Sequence, residues 1–334
     1  MRAYEIVADG GIDALALNTR QAPQPAQGQI LVALRASSIN YRDLSTIEDP
    51  VVRGIALPRI PNSDGAGEVI AVGAGVTRFK AGDRVAGCFF QHWSDGGISA
   101  AAMASAMGGA VDGILAEQAL LSEAGAVHVP AHMSFEEAAT LPCAGVTAWN
   151  CLLEQGNLKA GKTALFLGTG GVSIFGLQIA KMLGARAIIT SSSDAKLERA
   201  RGLGADELIN YRETPEWQAQ VLEMTNGAGV DVTIETGGGG TLEKTMEATR
   251  VGGTISLIGV LTGGTINPTT VMRKSIRLQG VYVGSRRMFE DMNAAFSLNQ
   301  IHPVIDRVFD FEDARSAYHT MRAAGHFGKL VVTI

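Results

Sequence analysis

Residues 162–185 read KTALFLGTGGVSIFGLQIAKMLGA, a strand, a glycine turn and a helix in immediate succession. Thr163 to Leu167 is a short apolar run suited to a parallel strand covered on both faces. Gly168, Gly170 and Gly171 let the backbone turn tightly and approach a pyrophosphate. The free N–H groups and positive dipole of a helix beginning near Val172 meet that group's charge. Counting G-x-G-x-x-G from Gly168 puts Ser173 at the third place, where close helix–strand packing normally wants no side chain. A glycine turn can equally be a plain strand–helix connection, so the surrounding chain has to decide.

Downstream of Ala160 the chain alternates. Strand-like runs at Arg186–Thr190, Glu207–Asn210, Val230–Glu235, Gly253–Ile258 and Ile276–Val283 are separated by helical stretches at Asp194–Leu203, Glu216–Thr225 and Leu242–Thr249. Such a rhythm predicts a doubly wound parallel sheet. Upstream, short runs at Ile30–Ala36, Gly67–Val72, Arg84–Cys88 and Ala126–Val129, punctuated by glycine and proline, predict a β-rich unit. Ser94–Ala116 is either a short helix or a lid. The tail from Arg287 reads as a helix, a strand at Val304–Phe309, a helix from Phe311 and a last strand at Lys329–Thr333, so the chain returns to its first domain and a cleft between the two is expected.

Bulk properties exclude several function classes. The 334 residues are 46% hydrophobic with net charge −5, and they contain no lysine or arginine run that would mark a nucleic-acid or anionic-membrane partner. Small-molecule partners are favoured. Cys88, Cys143 and Cys151 lack C-x-x-C spacing, so neither a disulfide framework nor a zinc lobe is readable. No apolar run reaches the roughly 18 residues a bilayer span needs, and MRAYEIVADGG is not a secretory leader. A cytoplasmic location is expected.

GAGEVIAVGAGVTRFKAGDRV (Gly65–Val85), PCAGVTAW, the glycine turn, LGAD (Leu203–Asp206) and the terminal HFGKLVVTI resemble the medium-chain dehydrogenase/reductase superfamily over nearly the whole chain. That superfamily includes zinc alcohol dehydrogenases and zinc-free quinone and enone reductases. The resemblance implies a GroES-like catalytic domain of residues 1–145 and 286–334, a Rossmann domain of residues 146–285, and a homodimer paired through the edge strand Ile276–Val283. It also marks where catalytic zinc would bind. The ligand places fall on Asn40, Ser63 and Cys143, and the four cysteines of the structural lobe are replaced around FFQHWSDGG, so no metal is expected. Asp64 and His92 are weak substitutes, an acidic loop residue and a lone surface histidine.

Asn40, Tyr41 and Asp43 in SINYRDL resemble the N-x-x-D region of zinc-free quinone reductases, which borders nicotinamide and substrate. Asn40 can also be simply a helix cap. For cofactor choice, the end of the second Rossmann strand falls on Ser191, flanked by Ser192, where an NAD-specific fold carries a carboxylate. Asp194 reads as the cap of the next helix. The resemblance places Lys196 on the 2′-phosphate and Tyr211 on the adenosine side, although Lys196 can also be a solvated helix residue. NADPH is the expected cofactor. Thr147, Gly259, Val260, Tyr282, Val283, Gly284 and Lys329 fall where the family lines the nicotinamide pocket, or at strand ends. Phe89, Phe90 and Trp93 are a substrate wall or plain core.

These readings imply a zinc-independent NADPH-dependent reductase of quinones or enones. The alternatives are a metal-free NAD(P)-dependent alcohol dehydrogenase and a non-catalytic NADPH-binding structural or regulatory protein.

Overall fold

The computed structural model describes residues 1–334, and the chain divides into two units: Met1–Val146 with Gly284–Ile334, and Thr147–Val283. In the first unit, β1 (Arg2–Ile6) and β2 (Leu15–Thr19) form an antiparallel pair. β3 (Gln29–Ile39), β4 (Asp64–Val72), β5 (Arg84–Gly87), β6 (Gln118–Ser122) and β7 (Ala126–His128) build the larger sheet. In the second unit, β8 (Thr163–Leu167), β9 (Arg186–Ser191), β10 (Glu207–Asn210), β11 (Val230–Glu235), β12 (Thr249–Leu257) and β13 (Arg277–Gly280) form a separate sheet. The tail supplies β14 (Ile305–Phe309) and β15 (Lys329–Thr333) to the first unit.

The sheet of the first unit runs β14-β15-β3-β4-β5-β7, with β6 paired to β3. β3 is buried along most of its length because it packs on two apolar clusters. One contains Ile30, Val32, Leu34, Val69, Val85 and Leu121. The other joins Ile39 and Leu44 to Tyr318, Leu330 and Val332. Antiparallel pairing sets Leu330 opposite Ile39, which anchors the C-terminal strand beside the end of β3. The helix Tyr41–Glu48 follows at once.

The sequence does not predict β1, β2 and β6: β1 and β2 are short runs broken by polar residues, and β6 is an apolar triplet between Gln118 and Ser122. The helix Phe135–Ala139 does carry a sequence signal: Ser134 Oγ accepts from the Glu137 N–H at 3.2 Å and Glu137 Oε2 accepts from the Ser134 N–H at 2.9 Å. This is a capping box in S-x-x-E spacing. Ser94–Ala116 contains one short helix, Ala100–Met103, whose first turn is capped by Ser99.

The sheet of the second unit is fully parallel in the order β10-β9-β8-β11-β12-β13. That is the doubly wound order with its reversal between β8 and β11. The expected edge strand Ile276–Val283 is only Arg277–Gly280, and β13 does lie at an edge of the sheet. No helix is long and apolar enough to cross a membrane.

Candidate functional site

In the second unit, β8 ends at Leu167 and the helix Gly171–Met182 begins after a turn in which Gly168 has φ +75°. A left-handed backbone there favours glycine. A Cβ added at Gly168 or Gly170 would meet nothing within 4 Å, so the backbone faces open space in front of a helix N-terminus that has no side-chain cap. That is the space and the charge a pyrophosphate requires, and the residues fit a dinucleotide.

The third glycine of the turn motif is resolved in an instructive way. Ser173 is buried, and its hydroxyl donates to the Leu167 carbonyl at 2.7 Å, tying the helix to the strand it follows. Close packing is instead made by Gly176, where a Cβ would stand 2.6 Å from the Phe166 ring and 3.0 Å from Ile234. The small residue is required one turn later than the simple motif count puts it.

At the carboxyl ends of β9 and β10, the Tyr211 N–H donates to the Ser191 carbonyl at 3.1 Å. Ser191 is buried, Ser192 half-buried and Tyr211 exposed. Lys196 lies in the first turn of the helix Asp194–Gly202. Ser193, not Asp194, holds the cap position of that helix, and the Asp194 carboxylate accepts from Asn210 Nδ2 at 2.8 Å. The end of β9 itself therefore carries no carboxylate.

Thr147 is buried. Gly259 and Val260 follow β12; a Cβ at Gly259 would fall 2.1 Å from the Thr236 carbonyl oxygen, while Val260 is exposed. Tyr282 is exposed. Val283 has φ +57°, an outlier for a β-branched residue, and its carbonyl accepts from Asn150 Nδ2 at 2.7 Å. Strain of this kind is characteristic of ligand-facing segments. In the first unit, Gly284 is packed tightly, with Val146 Cγ1 at 2.6 Å from an added Cβ.

The first unit also gathers buried polar groups. Asn40 stands between β3 and the helix Tyr41–Glu48, at the cap position of that helix, and its N–H donates to Asp43 Oδ2 at 2.8 Å. Arg42 donates to Asp43 Oδ1 at 3.1 Å and stacks over Phe89 at 4.9 Å. From the opposing strand, Lys329 Nζ donates to Asn40 Oδ1 at 2.5 Å and to the Ile39 carbonyl at 2.8 Å. Asp64 is fully buried, with Oδ1 accepting from Ser63 Oγ at 2.7 Å and Oδ2 from the Cys143 N–H at 3.1 Å. Burial above all, with the neighbouring Asp43 charge, pushes the Asp64 carboxyl up to about 6 against the pull of Lys329. The Asn40 amide favours the charged form too, yet no hydrogen bond of ordinary geometry closes between them. Tyr41 is exposed beside this cluster, whereas Phe89, Phe90 and Trp93 are interior residues.

These donors do not fit a zinc ion. Of the three ligand places only Cys143 offers a soft sulfur donor, and Asn40 and Ser63 bring neutral oxygens that zinc sites do not use. Ser63 is engaged by Asp64, and the Asn40 oxygen faces an ammonium. No three His, Cys, Asp or Glu side chains converge on one point. The sequence marks Lys329 only as a residue of the nicotinamide pocket, and its pairing with Asn40 is visible only in the structure. The signal was available only as strand pairing between HFGKLVVTI and the end of β3.

Known proteins share this architecture. Residues 26–131 match an alcohol dehydrogenase GroES-like domain and residues 171–298 a zinc-binding dehydrogenase domain. A zinc-type alcohol dehydrogenase-like protein of Schizosaccharomyces pombe is 43% identical, covering 97% of this chain and 96% of its own. A quinone oxidoreductase of Pseudomonas aeruginosa is 33% identical over 78% of this chain and 74% of its own. Among solved structures, an NAD-dependent alcohol dehydrogenase superposes with TM-score 0.91 at 30% identity, covering 100% of both chains. A mycobacterial protein complexed with NADPH gives 0.84 at 25% identity, again covering 100% of both.

Proposed function

We propose, since this chain belongs to the medium-chain dehydrogenase/reductase superfamily of oxidoreductases, that it is a zinc-independent, NADPH-dependent reductase of enones or quinones. The observation that carries this reading is the buried Asn40–Lys329 pair at the place where zinc members hold their metal. An activated alkene or quinone is already electrophilic, whereas an unactivated alcohol normally needs zinc to ease loss of its proton.

Bound NADPH supplies the hydride. Hydride reaching the carbon β to the carbonyl would turn the alkene π pair into a double bond between the α-carbon and the carbonyl carbon and move the carbonyl π pair onto oxygen, to which Asn40 Nδ2 would donate as charge develops. A solvent proton then completes the α-carbon. Asp43 holds the backbone of Asn40, and Arg42 holds Asp43. Gly168, Gly170, Gly171 and Val172 bind the pyrophosphate, Ser191 and Ser192 leave room for a 2′-phosphate, and Lys196 pairs with it, with Tyr211 against the adenosine. Thr147, Gly259, Val260, Tyr282, Val283 and Gly284 shape the nicotinamide pocket. Tyr41 borders the substrate, and two chains pair through the β13 edge.

The test is a substrate panel assayed with chelator present. Enones and quinones should consume NADPH, while saturated ketones, and simple alcohols with NADP⁺, should react at least about 100-fold more slowly. Chelator-resistant alcohol oxidation at the enone rate would favour the metal-free alcohol dehydrogenase instead. NADPH binding without turnover of any carbonyl substrate would favour a non-catalytic role.

A further inference from the structure

We infer that Lys329 is a positioning residue that fixes which end of the Asn40 amide is free to meet the substrate, an inference that rests on the reading of Asn40 as the donor to the substrate oxygen. An amide side chain has an acceptor end and a donor end, and half a rotation exchanges them. An ammonium has donors only. With Lys329 Nζ 2.5 Å from Asn40 Oδ1, the flipped amide would set N–H against N–H⁺. Both residues are at least nine-tenths buried, so water cannot relieve that clash. The lysine in turn cannot swing away, because its second bond goes to the Ile39 carbonyl at 2.8 Å and its strand is locked by the Leu330–Ile39 register.

The consequence falls on Asn40 Nδ2, which is buried and has no hydrogen-bond partner. The Asp64 carboxylate lies near enough for the Asn40 amide to favour its charged form, yet no hydrogen bond of ordinary geometry closes between them and Nδ2 is left over. A buried donor without a partner is costly at rest and is the kind of group that a ligand oxygen satisfies. The charge of Lys329, acting through Oδ1, polarises the amide and strengthens its N–H toward an oxygen that gains negative charge. The matching ligand chemistry is a carbonyl oxygen becoming an enolate. In a chain whose donors do not fit zinc, the cation acting on that oxygen is an ammonium, one amide removed.

A double-mutant cycle tests this, using 2-cyclohexen-1-one as the probe at saturating NADPH. Asn40→Ala should lower kcat about 100-fold, and Lys329→Met about tenfold or more. In the Asn40→Ala background, Lys329→Met should add less than about twofold, because its effect has no amide left to act through. NADPH binding, followed by cofactor fluorescence, should stay within about twofold of the parent throughout. Losses that multiply, or an Lys329→Met enzyme with parental kcat, would overturn the inference. An unchanged kcat in Asn40→Ala would sink the reading beneath it as well. If Lys329→Met fails to fold with Asp64 left uncompensated, the same cycle is run in Asp64→Asn, where both buried charges are removed together, and the same criterion applies.

Discussion

The glycine cradle of the second unit and the polar cluster of the first are built from opposite materials. The cradle is backbone: Gly168 and Gly170 face open space, and the helix N-terminus is left uncapped. The cluster is side chain: two carboxylates, an ammonium, a guanidinium and an amide, each buried or half-buried, with Arg42 on Asp43, Asp43 on the Asn40 N–H and Lys329 on the Asn40 amide oxygen. A backbone site tolerates no added side chain but depends on no particular ionisation. A cluster of buried charges tolerates isosteric change in shape but not the loss of one partner.

The strongest way to break this contrast is to fill the cradle. Gly170→Leu meets nothing in the protein, so stability should be close to parental while NADPH affinity falls at least about 100-fold, equivalent to about 2.7 kcal/mol. Calorimetric titration and thermal unfolding measured together check both halves. A variant that still binds NADPH normally contradicts a pyrophosphate at this turn, and one that unfolds contradicts the open space in front of Gly170.

The cluster should respond to pH where the cradle does not. The folded-state pKa of Asp64 is raised, so its contribution to stability is fully present below the ordinary 3.8 and is lost as pH rises through about 6. Asp64→Asn carries no such proton. Its stability relative to the parent should therefore rise by about 3 kcal/mol between roughly pH 4 and pH 7.5, read from urea unfolding. A pH-independent difference would mean that the carboxyl titrates normally.

At the rim of the cradle, the effect should be smaller. Lys196→Ala should weaken NADPH about tenfold, or about 1.4 kcal/mol, and leave NADH nearly unchanged. Equal losses for both cofactors would remove the lysine from the 2′-phosphate. The β13 edge sharpens the picture without touching either site: light scattering should give twice the 35.0 kDa chain mass, and a monomer at every working concentration would refute pairing there.

The same contrast explains what the sequence could reveal. The cradle is written in consecutive residues, so β8 and the helix after it are legible from Thr163 to Met182. Even there, the need for a small residue moved to Gly176, because helix–strand distance is set by the Phe166 ring and not by motif counting. Asn40 and Lys329 are 289 positions apart. Each could be marked by resemblance, but their pairing depends on the β3–β15 register, which no local pattern encodes. Asp64 reads as an ordinary loop acid until the sheet buries it.

The most direct test of the account is the fate of the transferred hydrogen. NADPH carrying deuterium at the reactive C4 position is turned over with 2-cyclohexen-1-one in the presence of chelator, and the product is examined by NMR. The account predicts cyclohexanone with one deuterium on the carbon β to an intact carbonyl. Deuterium on the carbonyl carbon of an allylic alcohol, or turnover that stops with the chelator, would contradict it.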